Sequence, residues 1–408
     1  MSVLEGIFWG ATGIVVYAYL GYPLLILLRG MVWRRPVRKE PITPSVSLII
    51  CCHNEEQGIE AKLQNVLALD YPADRLQVVV ASDGSTDATE EIVSRYVGPQ
   101  LELLRLPRSG KAAALNAAVA KATGEILVFS DANSQYREDA IRNIVRSFAD
   151  PAVGGVAGNQ VYRKSYDSGS AAAGEQSYWS FDRWMKILQS RSGNTISATG
   201  AIYAIRGSLF MPVPEGVTDD FVTSTRVIAQ RRRLVFDPEA ICYEPVAGAA
   251  RAEFNRKTRV ITRGLRGVIE MRELLNPFRH GFYALQLLSH KVLRRLVVIP
   301  LLVLAVVSPL LWNHGLIYQI ATVGQGLVYS LAAIGVVLVR TGQRVPKAMS
   351  VPLFFCMVNT AVLVAVWNIL RGRRITVWNP HRGTEAGDPP NSSGHSASLP
   401  LQETNLAR

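Results

Sequence analysis

Apolar residues crowd the two ends of the chain, while the stretch between them has the short apolar runs and amphipathic spacing of an α/β domain. Ile7 to Leu28 runs uncharged for about 22 residues, long enough to cross a bilayer as a helix. Glu5 stands where a secretory signal would carry basic residues, the run is too long for a signal core, and no small-residue cleavage site follows. A retained span is therefore expected. Leu296 to Trp312, Leu316 to Val339 and Val351 to Leu370 are three further candidates. Only Asn313-His314-Gly315 separates the first two, which predicts a tight hairpin. Residues 383–408 are polar, rich in Ser, Pro and Gly, and read as a disordered tail.

Between these ends, Val46 to Ile50, Gln77 to Ala81, Leu101 to Leu106 and Ile126 to Phe129 read as buried strands. Glu60 to Leu69, Asp87 to Tyr96 and Ala112 to Lys121 read as the helices between them. Such alternation predicts a mostly parallel sheet with helices on both faces. Ligands of such sheets bind beyond the carboxyl ends of the strands. The first strand ends in His53-Asn54-Glu55-Glu56, the second in Ser82-Asp83-Gly84-Ser85-Thr86-Asp87, and the fourth in Ser130-Asp131-Ala132-Asn133. Carboxylates meeting at one edge repel each other unless a cation or hydrogen-bond donors intervene. Asp87, three residues before Glu90, fits an N-cap with a capping box. No glycine-rich dinucleotide fingerprint follows the first strand, and Gly110-Lys111 lacks the rest of a P-loop.

The chain has 408 residues, 49% hydrophobic, with a net charge of +12. Many of its arginines flank the apolar runs, at Arg34, Arg35, Arg38, Arg294, Arg295, Arg371, Arg373 and Arg374. Lys and Arg beside a span mark its cytosolic side, so this charge speaks for a membrane rather than nucleic acid. The first span then runs from outside to inside. Arg340 to Lys347 places that loop in the cytosol, and four spans would put the C-terminus outside, yet Arg371 to Arg374 argues for inside. One apolar segment lying in the interface or re-entering would remove the conflict. Cys51, Cys52, Cys242 and Cys356 have no metal-ligand spacing and suggest reduced thiols.

Taken in order, Asn54-Glu55, Asp83-Gly84-Ser85-Thr86-Asp87, Lys111 with Ala114-Leu115-Asn116, Asp131-Ala132-Asn133, Thr199-Gly200-Ala201 and Thr218-Asp219-Asp220 resemble the family 2 glycosyltransferases. The membrane layout is similar to the branch holding hyaluronan, chitin-oligosaccharide and poly-N-acetylglucosamine synthases. The resemblance implies a GT-A α/β domain with a mostly parallel central sheet, flanked by transmembrane helices. It implies inverting transfer from a UDP-sugar, with Mg²⁺ or Mn²⁺, to a growing glycan. Donor contacts would fall on Asn54, Glu55, Asp83, Lys111 and Asp131, and the metal on Asp131 and Asn133. Asp220 would be the base, with Gly200, Ala201 and Asp219 beside the acceptor.

Arg256, Arg259, Arg263 and Arg266 share a helix face, with apolar residues on its other sides, as in a helix at a membrane surface. Arg256 and Arg259 are the candidates for pyrophosphate. The family's Gln-x-x-Arg-Trp motif lies here, and only Arg259 matches it, which puts processivity in doubt. Tyr178, Trp179, Phe181 and Trp184 form an aromatic cluster, read first as packing and second as a sugar platform.

The expected organisation is a transmembrane helix over 1–30, a cytosolic catalytic domain over 31–250, amphipathic interfacial helices over 251–295 and about three spans over 296–372. The setting is a multi-pass inner or plasma membrane protein, with the bilayer and an export system's proteins as partners. Two alternatives stay open: single transfer to a polyprenyl phosphate or lipid, and an inactive scaffold subunit.

Overall fold

The computed structural model describes residues 2–163, 170–245 and 250–373. The expected tail, Arg374 and the side chains of Tyr178 and Trp179 lie outside the described residues. The centre is one eight-stranded mixed sheet: β1 Val46–Cys52, β2 Leu76–Asp83, β3 Leu101–Leu106, β4 Ile126–Asp131, β5 Gln135–Tyr136, β6 Val153–Arg163, β7 Tyr203–Arg206 and β8 Arg233–Pro245. Their order is β3-β2-β1-β4-β7-β6-β8-β5. The first four strands are mutually parallel where they pair, β7 is antiparallel to β4 and β6, β8 runs parallel to β6, and β5 is antiparallel to β8.

Every residue of β1 is buried, as an apolar run with both faces covered should be. Leu48 and Ile50 face one core with Ile59, Leu63 and Val66 of helix α2 (Ile59–Leu67). Ile49 and Cys51 face the other, following the two-residue alternation of a strand. Helix α3 is Thr89–Ser94, α4 is Lys111–Lys121 and α5 is Ala140–Val145. The second core takes Leu115 of α4 and Phe221, Val222 and Val227 of α7 (Asp219–Ala229).

The four strands read from sequence are present, each longer by a residue or more except β3, which matches. The helix expected over Asp87 to Tyr96 is shorter. Its N-cap is Ala88 rather than the expected Asp87, which sits one residue earlier and accepts from the Thr89 N–H at 3.0 Å and the Thr89 hydroxyl at 2.6 Å. The expected capping box is absent, because Glu90 accepts from the Ser82 hydroxyl at 2.6 Å instead.

Helix α1, Val3–Val32, contains a π-helical turn at Tyr17–Gly21. Helix α6 is Ser170–Ser192 and α8 is Ala250–Glu270. Near the C-terminus, α9 (Phe282–Leu296) and α10 (Val298–Leu310) meet at a 48° bend, followed by α11 (Leu316–Arg340) and α12 (Lys347–Leu370). Among the described residues three helices are long and apolar enough to cross a membrane, or four if the bent pair counts as one span. A short turn at Trp312–His314 makes the expected hairpin. Phe8 meets Tyr318 edge-on with ring centroids 4.8 Å apart, and His314 Nδ1 lies 3.2 Å from Glu5, so the hairpin and the start of α1 share one end of the bundle. Cys51, Cys52 and Cys242 are free and buried, as expected.

Gly124 precedes β4 where the chain crosses β1, and a Cβ there would sit 2.4 Å from the Ser47 nitrogen. Backbone cannot yield as a flexible side chain can. Gly124→Ala should therefore lower stability by about 1–3 kcal/mol in denaturant unfolding, the usual cost of overpacking.

Candidate active site

Sheet topology brings the C-terminal ends of β1, β2 and β4 together, because β1 lies between the other two. Asn54, just past β1, is left-handed at φ 51. Its Oδ1 accepts from the Thr86 N–H at 2.8 Å and its Nδ2 donates to the Thr86 hydroxyl at 3.3 Å. The Glu55 N–H donates to Thr89 Oγ1 at 2.7 Å. Asn54 thus ties the first loop to the Asp83–Thr86 turn, and Glu55 ties it to the start of α3.

Asp83 is fully buried at the end of β2. It accepts from the Ser109 N–H at 2.7 Å, the Gly110 N–H at 2.9 Å and Arg108 Nη1 at 2.7 Å. Its carboxylate thus gathers the 108–110 turn, since a buried carboxylate holds the N–H groups that reach it. Asp83 therefore shapes the turn that launches α4, and Arg108 beside it is only partly buried.

Lys111 opens α4, Asp131 closes β4 and Asp219 opens α7. The three meet: Lys111 Nζ lies 2.8 Å from Asp131 Oδ1 and 3.1 Å from Asp219 Oδ2. Burial works against the Lys111 charge, but Asp131 and Asp219 outweigh it and hold the ammonium well above its ordinary value. Burial likewise opposes the Asp219 charge, and Lys111 with Arg263 overcomes it, leaving this carboxyl below the usual range. Arg263 reaches inward, donating through Nε and Nη2 to the Val217 carbonyl at 2.9 and 2.7 Å. The N-cap of α7 is Thr218, so Asp219 is a helical residue with charged partners rather than a cap.

Asp220 behaves in the opposite way. Burial and then the neighbouring Asp219 charge push its carboxyl up to about 6. One oxygen accepts from the Phe221 N–H at 2.7 Å. Adjacent carboxyls with pKa values driven apart, one charged and one near neutrality, suit a pair in which the second takes a proton.

Gly200 lies against the Asp131 carboxylate, where a Cβ would come within 2.8 Å of Oδ2. Ala201 does not face this space. Its methyl belongs to the core, and its carbonyl accepts from the Ser134 hydroxyl at 3.1 Å. Asn133 sits partly buried on the turn two residues beyond Asp131. Arg256 is placed where its charge acts on Glu244, and Arg259 is lowered by burial and by the neighbouring Arg263 and Arg256. Phe181 and Trp184 tilt against each other at 5.9 Å, and Phe181 packs with Tyr22, Ile26 and Met185, so the described part of the aromatic cluster serves packing.

Two residues escaped the sequence reading. Glu244, near the end of β8, is buried and accepts from Gln160 Nε2 at 2.6 Å; burial and then the Asp131 charge push its carboxyl up to about 7. Nothing in the primary sequence announces it, because the pairing of β8 with β5 and β6 brings it to this edge. Lys62 is fully buried under the loop carrying Asp131. Its ammonium donates to Ser130 Oγ at 2.7 Å and the Ser134 carbonyl at 2.6 Å, and lies 4.1 Å from the Tyr136 ring centre. A signal existed here, since Lys62 falls on the apolar stripe Ile59, Leu63, Val66 of α2.

Residues 47–211 match the family model described as glycosyl transferase family 2. The chain carries a family 2 glycosyltransferase domain. Asp219, Asp220 and Glu244 lie beyond the matched residues, on elements that meet the same edge of the sheet. A solved mannosyltransferase of Pyrobaculum calidifontis, in complex with GDP-Man and Mn²⁺, superposes with a TM-score of 0.68 at 25% identity, covering 91% of this chain and 100% of that one. A Synechocystis beta-monoglucosyldiacylglycerol synthase is 37% identical over 116 residues, 27% of this chain and 24% of the relative. A Staphylococcus aureus poly-beta-1,6-N-acetyl-D-glucosamine synthase is 27% identical over 210 residues, 48% of this chain and 49% of the relative. The matched stretch is about a quarter of the first relative's length and about half of the second's.

Lys62→Met keeps volume but leaves the Ser134 carbonyl and the Ser130 hydroxyl without their donor. The purified variant should lose about 1–3 kcal/mol in denaturant unfolding, the cost of buried groups left unpaired.

Proposed function

We propose that the chain is an inverting membrane glycosyltransferase that moves a sugar from a nucleoside diphosphate sugar to a membrane-associated acceptor. The observation that carries this reading is the charged Asp219 next to the raised Asp220, joined to Asp131 through Lys111. In one displacement, the acceptor oxygen forms its bond to the anomeric carbon as its proton passes to an Asp220 oxygen. The bond from that carbon to the diphosphate breaks, and its electron pair leaves with the nucleotide. Lys111 keeps Asp131 and Asp219 in place, Gly200 leaves room beside Asp131, and Arg256 and Arg259 are the candidates for the diphosphate.

A divalent cation fits the residues present. Among the described residues no group of three His, Cys, Asp or Glu side chains could cage a metal. Mg²⁺ and Mn²⁺ need no such cage when substrate phosphates complete the shell. Asp131 and Asn133 supply hard oxygen donors, and the crowding of Glu244 against Asp131 favours a cation there. When bound, the ion would neutralise charge growing on the leaving diphosphate.

The family resemblance favours UDP as the donor's nucleotide, and the solved mannosyltransferase holds GDP-mannose, so a donor panel should span both bases. Extension of a glycan is the leading reading for the acceptor. The missing Gln and Trp beside Arg259, together with the diacylglycerol-glycosylating relative, favour single transfer to a lipid as the second. Mass spectrometry of products decides between a ladder of oligomers and one added sugar.

Asp220→Asn should slow transfer by about 100- to 10,000-fold, the usual contribution of a general base, while donor affinity holds; retention of normal turnover would remove Asp220 from the chemistry. Because the base must be ionised, wild-type kcat should rise with pH through about 6 and level off above it. Asp131→Ala should abolish the response of nucleotide release to added Mn²⁺; a variant that still responds would overturn the cation assignment.

A further inference from the structure

By length and apolarity α12 qualifies as a span, with 24 residues and a mean hydropathy of 2.1. Its contacts say otherwise. Near its start, Phe354 lies under the Lys257 ammonium of α8 at 5.0 Å. Just past its end, the Arg373 carbonyl accepts from Arg266 Nη2 of the same helix. Between these points α12 packs along α8, and it also packs against α6.

Helix α8 cannot cross a bilayer. It carries Arg256, Lys257, Arg259, Arg263 and Arg266, and charges at the centre of a span are costly. It is also fastened to the transferase domain. Leu265, Val268 and Met271 are buried, and Gly267 sits against Phe221 of α7. A helix held to α8 at Phe354 and again at Arg373, and packed along it between those points, shares its plane. Its exposure pattern agrees: Ala361, Val362, Ala365 and Asn368 are buried on the protein side, while Leu363, Val364, Trp367 and Leu370 are exposed along the opposite side. An apolar stripe ending in Trp is what a helix lying in the headgroup boundary presents to lipid. Helix α12 also packs against α11, about as extensively as against α8, with Gly335 against Leu353.

We infer that α12 lies on the cytosolic surface of the bilayer, between α8 and the lipid, and does not cross it. The crossings are then α1, the apolar run from Leu296 through α10, and α11. Arg34, Arg35 and Arg38, Arg294 and Arg295, Arg340 to Lys347, and Arg371 and Arg373 then all fall on one side, as the distribution of cations around spans requires. Gly264 supports this grouping, since a Cβ there would meet the Arg295 guanidinium at 2.6 Å, placing the charged end of α9 beside α8. Naming that side the cytosol rests on the proposed use of a cytosolic donor; the absence of a crossing does not.

The test is labelling of single cysteines by a membrane-impermeant maleimide, in the full chain in cells, on a Cys356→Ser background. Gln343→Cys and Arg373→Cys flank α12, Asn313→Cys marks the hairpin and Glu102→Cys the transferase domain. The expected result is labelling of 313 on intact cells, and of 102, 343 and 373 only after permeabilisation. Labelling of 343 and 373 from opposite sides would overturn the inference. So would a residue 373 that reacts only after denaturation, which places it within the bilayer. Labelling of 102 from outside would instead remove the cytosolic-donor reading, while α12 still stands or falls on whether 343 and 373 agree.

Discussion

The site depends on one ammonium. Lys111 Nζ sits between Asp131, at the end of β4, and Asp219, at the start of α7, and 88 residues of chain separate those carboxylates. Without a cation between them, the buried Asp219 charge and the partly buried Asp131 charge would drive the sheet edge and the helix apart. With it, Asp219 is held ionised, and its charge then lifts Asp220. The arrangement is a relay of local electrostatics: a lysine fixes one acid as an anion, and that anion makes its neighbour a better base.

Around this centre the fold supplies supports of two kinds. Buried groups hold the loops from below, with Lys62 pinning both ends of the Ser130–Ser134 loop and Asp83 gathering the 108–110 turn. From the membrane side, α8 contributes Arg263 to the Val217 carbonyl and to the Asp219 environment. The same helix is gripped by α12 along its length. In the proposed arrangement one amphipathic helix couples the site to the bilayer surface, which fits an acceptor that arrives from the membrane.

Much of this was legible in the primary sequence for a physical reason. Parallel strands buried on both faces appear as apolar runs, and the residues just after them become the site, so β1, β2 and β4 with Asp83, Asp131 and the neighbouring loops could be read directly. Asp219 and Asp220 were found through motif resemblance rather than periodicity. The strands β5 to β8 went unread because short or irregular antiparallel additions carry weaker patterns. Glu244 stayed hidden with them, since pairing of β8 against β5 and β6 brings it to Asp131. The partners of Asp83 could not be read, because sequence shows a strand end but not which N–H groups converge there. Hydropathy recognised α12 as apolar, and only its contacts with α8 reveal the plane in which it lies.

One cleft at the end of β4 is proposed to hold the donor's diphosphate and a divalent cation within reach of Asp220. Anomalous scattering from crystals of the full chain grown with Mn²⁺ and a nucleoside diphosphate locates both. One strong Mn²⁺ peak is expected at coordination distance from Asp131 and beside the diphosphate, with Asp220 facing the open side. A diphosphate bound elsewhere, or an ion with no contact to Asp131, would contradict it.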